Sequence, residues 1–149
     1  MNPYEQILAG LPVGLDRAVG RLMLYHKGAA NLIEREPMLL ELQSRPGLER
    51  TEDRTMRDAV HTLRSLGVRI CHAEWRLKDE YTGKVKVHFG YYLASSEEEY
   101  QTFRIKYMSY AKTIWQTIRS MDQRHPVLTD AGEVELEPPV EMAIQKSLF

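Results

Sequence analysis

At Gly67 the hydrophobic period of this chain changes from helical to alternating, and few folds accommodate that change at that spacing. Before it, Met56, Ala59, Val60, Leu63 and Leu66 fall on one side of a helix. Arg54, Asp58, His61 and Ser65 lie opposite, flanked by Arg57 and Arg64. After it, Trp75 and Leu77 alternate with Arg76 and Lys78, and Val85, Val87 and Phe89 alternate with Lys84, Lys86 and His88. Asp79-Glu80-Tyr81-Thr82-Gly83 supplies turn residues between the two runs. The pattern predicts a helix over 53–66 and a β-hairpin over 73–89, with Arg76, Lys78, Lys84, Lys86 and His88 on a common face.

The flanks complete the element order. Leu15, Ala18, Val19, Leu22 and Met23 recur at helical spacing, so the stretch to Lys27 reads as one or two helices stopped by Gly28. A second helical pattern runs from Ala29 to Leu42, which Pro37 should kink or divide. Ser44-Arg45-Pro46-Gly47 is a turn, and the third helix should be capped by Thr51 or Asp53 and end at Gly67. Ser95 and Ser96 followed by Glu97, Glu98 and Glu99 open a long helix. Its stripe, Tyr100, Phe103, Tyr107, Tyr110, Ile114, Ile118 and Met121, reads as core or dimer interface rather than as a base-stacking platform. Beyond Arg124-His125-Pro126 the chain becomes acidic and Pro-containing, as a mobile or docking tail for a protein partner.

Net charge decides little until it is resolved by segment. The formal total is −1, but residues 45–88 hold ten Lys/Arg against seven Asp/Glu, with three histidines besides. Residues 122–149 hold two against six, so an acidic tail offsets a basic middle. The absence of an apolar run near the roughly 20 residues of a membrane span, and of a leader pattern at Met-Asn-Pro-Tyr-Glu, predicts a cytoplasmic protein without membrane contact. The single cysteine, Cys71, reads as a small buried apolar side chain; its neighbour His72 points to the opposite face of a strand. With no Walker loop, GxSxG, HExxH or metal-ligand spacing, neither catalysis, a cofactor nor a metal site is expected.

Helix, helix, turn, helix and basic hairpin in this order predict an α+β, mostly helical fold: a winged helix-turn-helix over residues 1–94, a long amphipathic helix over 95–124 and a tail over 125–149. The residues also resemble a family. Arg54 to Ile70, Arg-Thr-Met-Arg-Asp-Ala-Val-His-Thr-Leu-Arg-Ser-Leu-Gly-Val-Arg-Ile, is similar to the pattern R-x-x-R-x-x-I-x-x-L-R-x-x-G-x-x-I of winged-helix proteins common in bacteriophages and prophages. Gly90-Tyr91-Tyr92-Leu93-Ala94 and Ser95-Ser96-Glu97-Glu98 resemble that family's G-Y-[FY]-L-A and S/T-x-E-E. The likeness covers about residues 50–100; the segment before the third helix is longer than the family's and contains Pro37, and the wing is longer too.

The resemblance implies double-stranded DNA binding, in transcription control or replication initiation. Arg54, Arg57, His61, Ser65 and Arg64 would enter the major groove, and Arg76, Lys78, Lys84, Lys86 and His88 would grip phosphates. The long helix would form a homodimer through Tyr100, Phe103, Tyr107, Tyr110, Ile114 and Ile118. The same residues allow a blander account, with Arg54 and Asp58 as a surface ion pair and the strand lysines as guards against edge pairing. On that account the scaffold docks on a host or phage protein without binding DNA.

Overall fold

The computed structural model describes residues 2–124. The chain divides into two compact units, Met1–Gln101 and Thr102–Phe149. The described residues form an α+β arrangement of five α-helices and one three-stranded antiparallel sheet.

Helix α1, Pro3–Ala9, starts at Asn2, whose side chain accepts the Tyr4 N–H, with Pro3 at the first helical position where no amide is needed. Helix α2, Leu15–Met23, buries Val19, Leu22 and Met23. Gly20 between them leaves room for Leu8, since a Cβ there would stand 2.2 Å from a Leu8 methyl and the leucine would have to turn aside.

The segment from Ala29 departs from the expected second helix. A short 3-10 turn at Ala29–Asn31 leads to strand β1, Ile33–Glu34, and only then to helix α3, Arg35–Gln43. Pro37 therefore lies in the first turn of α3 and neither kinks nor divides it, since first-turn amides have no intrahelical acceptor to lose. Ile33 and Glu34 are drawn out of helix by pairing with Tyr91 and Gly90. Gly90 carries no side chain where Leu32 and the Ile33 carbonyl approach.

Helix α4, Asp53–Ser65, buries Met56, Ala59, Val60 and Leu63, whereas Leu66 just past its end is 45% exposed and does not share the expected face. Its cap is Glu52, not Thr51 or Asp53. The Glu52 N–H donates to the Thr55 hydroxyl at 3.1 Å, while Thr51 is buried with its own hydroxyl on the Leu48 carbonyl. Gly67, at φ +97°, ends the helix as expected.

Strands β2, Ile70–Lys78, and β3, Val85–Leu93, form the hairpin, and the sheet order is β1-β3-β2. Ile70, Cys71, Tyr91, Tyr92 and Leu93 are buried at its base. Helix α5, Glu97–Arg124, runs about 42 Å at 1.5 Å per residue. Ser96 accepts the Glu99 N–H at 3.1 Å, and the Glu99 carboxylate accepts the Ser95 and Ala29 amides at 2.9 and 3.2 Å. Burial opposes its ionisation, but these hydrogen bonds hold the Glu99 carboxyl below the usual carboxylate range. No α5 residue is fully buried, with Tyr110 and Ile114 51% and 62% exposed. The expected acidic tail lies outside the described residues. Among the described residues no helix is long and apolar enough to cross a membrane.

Candidate nucleic-acid interface

The outer face of α4 follows from its inner one. With Met56, Ala59, Val60 and Leu63 held in the core, Arg54, Arg57, Asp58, His61 and Ser65 are left exposed on the other side. Their freedom differs. The Arg57 guanidinium meets Asp53 at 3.0 Å, and Arg35, at the start of α3, reaches the same carboxylate at 3.7 Å. Ser65 turns its hydroxyl back to the Thr62 carbonyl at 2.6 Å. The anticipated Arg54–Asp58 pair does not form; Asp53 is the acid that gathers the arginines of this helix end.

Arg64 is a correction. It is half-buried, its Nε donates to the Ile70 carbonyl at 2.7 Å, and its Nη2 lies 3.1 Å from His72 Nδ1. A guanidinium so engaged ties the end of α4 to the first residues of β2 and is not displayed beside Arg54 and His61.

The hairpin corrects the larger expectation. Its register pairs Trp75 with His88, Arg76 with Val87, Leu77 with Lys86 and Lys78 with Val85. Residues directly opposite share a face, so Arg76 and Lys78 stand with Val85 and Val87, whereas Lys86 and His88 stand with Leu77 and Trp75. The five basic groups do not share one face. A one-residue difference in register exchanges the faces, and the turn sets that register. The Asp79 N–H donates to the Lys84 carbonyl, Gly83 N–H to the Asp79 carbonyl, and Gly83 adopts φ +68°. Lys84 lies at this turn, before β3 begins. The Asp79 carboxylate accepts the Tyr81 and Thr82 amides at 2.8 and 3.4 Å, and these bonds hold it below the usual range.

Between the hairpin, the start of α3 and the start of α4 lies a groove of about 300 Å³ lined by Glu34, Arg35, Glu36, Asp53, Lys86 and His88. Arg35 stands over the Phe89 ring at 4.8 Å, His88 approaches Glu34 at 3.4 Å, and His88 stacks on Trp75 at 5.5 Å between centroids. Three acids in this groove oppose a phosphate there. Lys86, which lines this groove, pairs with none of its acids, and Arg54, Arg76, Lys78 and Lys84 lie outside it. Among the described residues, Arg54, Arg76, Lys78, Lys84 and Lys86 are exposed and form no ion pair with a carboxylate.

Sequence reasoning missed Arg35 and the organising role of Asp53. The place of Arg35 follows from β1, a two-residue strand too short to produce an alternation signal of its own, whereas the Asp53–Arg57 pair has i,i+4 spacing within α4, a signal the sequence does carry. It also missed Arg69, whose guanidinium meets Glu97 and covers the Tyr100 ring at 3.9 Å, anchoring the first turn of α5. Compared with known proteins, the sequence matches no protein-family model and no curated protein.

Proposed function

We propose that the first unit is a winged helix-turn-helix of phage or prophage type that binds double-stranded DNA, in transcription control or replication initiation. The element order α2-β1-α3-α4-β2-β3, with β1 beside β3, supports that assignment of the fold. The observation that carries the function is the set of exposed cations without carboxylate partners, Arg54 on α4 and Arg76, Lys78, Lys84 and Lys86 at the hairpin's outer end. Arg54 and His61 then address base edges in the major groove, and Arg57 does so on release from Asp53. A ribbon with cations on both faces suits a groove walled by two phosphate backbones better than a single backbone lying against one face. Helix α5 pairs two copies through the stripe that includes Tyr110 and Ile114, both more than half exposed.

The test is binding to random duplex DNA across a salt series, comparing wild type with a Lys78→Ala, Lys84→Ala, Lys86→Ala variant. Each lost phosphate contact should lower the slope of log affinity against log salt by about 0.9. A fall in slope by about 2 to 3 is expected; an unchanged slope removes the wing from the interface. A second reading, docking on a protein, is favoured by Leu77, Tyr81, Val85 and Val87, exposed on the same ribbon, and by the carboxylate of Asp58 amid the helix's outer face. Absence of duplex binding even at low salt would make it the better one.

A further inference from the structure

On α2 and the turn leading to α4, the three arginines Arg17, Arg21 and Arg45 line one cleft of about 560 Å³. Its floor and walls are otherwise largely apolar, with Val13, Pro46 and Leu48. No lining residue is acidic, and among the described residues none of the three guanidinium groups forms an ion pair. Four other arginines are engaged, Arg35 and Arg57 with Asp53, Arg69 with Glu97 and Arg64 with the Ile70 carbonyl, whereas Arg54 and Arg76 are exposed and, like the three of the cleft, form no ion pair among the described residues. Of the acids next to lining residues in the chain, Glu49 is turned onto the loop backbone, where it accepts the Gly47 amide at 3.1 Å, and Asp16 forms no ion pair among the described residues.

The Nε of Arg17 is buried and has no hydrogen-bond partner among the described residues. A buried donor left without an acceptor is costly, and a cationic one more so. Gly14 also lines the cleft and opens α2 without a side-chain cap, so the first amides of that helix add to the positive character of the same wall. The volume is within the range of small-molecule sites, roughly 300–1,000 Å³, and the combination of apolar walls with a few convergent charges is their usual chemistry.

We propose that this cleft binds a small organic anion, an oxyanion head held by Arg17, Arg21 and Arg45 with an apolar body against Val13, Pro46 and Leu48. Bidentate guanidinium geometry suits a carboxylate or a phosphate monoester alike. The ligand would bridge α2 and the turn that delivers the chain into α4, so it would brace the entry to that helix. The site stands independently of DNA binding.

The experiment follows the arginine Nε–H resonances of the full chain by heteronuclear NMR during titration with phenyl phosphate, benzoate and inorganic phosphate. Saturable movement of the Arg17 signal is expected with both organic anions, and at least tenfold weaker binding in an Arg17→Gln, Arg45→Gln variant. Arg45→Gln alone gives the same direction of change should the double variant fail to fold. Shifts that stay linear to concentrations on the order of 10 mM, which correspond to binding weaker than about 3 kcal/mol, overturn the proposal. Inorganic phosphate binding as tightly as phenyl phosphate overturns the part assigned to the apolar wall. Movement of Arg17 with duplex DNA but with none of the small anions overturns the site in favour of a backbone contact.

Discussion

At the base of the β2–β3 hairpin Ile70, Cys71, Tyr91 and Leu93 are buried, whereas along the same ladder Leu77, Val85 and Val87 are each about half exposed. Both ends share one register, but only the outer end alternates apolar with polar residues; at the base the neighbours Ile70 and Cys71, and Tyr91, Tyr92 and Leu93, are buried on both faces. The base is covered by helices and fastened at its edge: the Leu93 N–H donates to the His26 carbonyl, and the Gly28 N–H to the Leu93 carbonyl. The outer end has only its own ladder and turn. Alternation therefore reports that a segment is a strand, and what covers it is decided by elements distant in sequence.

The strongest way to break this contrast is to truncate one side chain at each end. Leu93→Ala should cost about 2–5 kcal/mol, since it removes methyl groups from a closed core, and Val87→Ala less than about 0.5 kcal/mol. Urea unfolding monitored by circular dichroism measures both. A Val87→Ala cost approaching that of Leu93→Ala would mean that the outer end is covered in solution.

Cys71 sharpens the same contrast through pH. Burial pushes its thiol from an ordinary 9.0 up to about 11, because an ionised sulfur at the base would lose its water. A pKa raised on folding gives stability that is fully present below the unfolded value and is lost as pH rises through the folded one. Between about pH 9 and 11 the wild type should therefore lose about 2–3 kcal/mol more than Cys71→Ala does. Parallel stability curves for the two proteins would show that the base admits water. At pH 8 the thiol should react with a maleimide only on unfolding.

Gly90 stands where β1 pairs with β3, and a Cβ there would lie 2.5 Å from a Leu32 methyl and 3.1 Å from the Ile33 carbonyl oxygen. The methyl can move, but the carbonyl belongs to the β1 ladder. Gly90→Ala should cost about 1–3 kcal/mol, read by the same urea transitions. A neutral result would show that β1 shifts freely against β3.

Much of this is legible in the sequence alone. The buried face of α4, the stop at Gly67, the hairpin's two strands and the start of α5 at Ser96 all rest on local period and capping, and local rules set them. The rest was settled by contacts between distant segments. Ile33 and Glu34 are strand because Tyr91 and Gly90 are available to pair with them, which no window around Ile33 contains. Arg64 continues the polar stripe of its helix, yet its partners, Ile70 and His72, lie beyond the helix end. The division of the basic residues between two faces of the ribbon turned on one residue of register, fixed by the Asp79–Lys84 bond rather than by strand composition. The arginine cleft brings Arg17 and Arg21 to Arg45 across the fold, with no shared motif to announce it.

The smallest expected effect is at Asp79, and it asks whether the outer end of the hairpin is energetically separate. Hydrogen bonds from the Tyr81 and Thr82 amides hold the Asp79 carboxyl below its ordinary value, on a fully exposed turn. A depressed carboxylate pKa gives stability that is present above the unfolded value and is lost as pH falls through the folded one. The Tyr81 amide resonance should thus titrate with an inflection below about pH 3.9, and Asp79→Asn should abolish that inflection. Because every residue of the turn is exposed, the same substitution should leave the global unfolding midpoint unchanged at neutral pH. A clear fall in that midpoint would show that the turn's register is transmitted along the ladder to Tyr91 and Leu93, and the two ends would then have to be treated as one cooperative element.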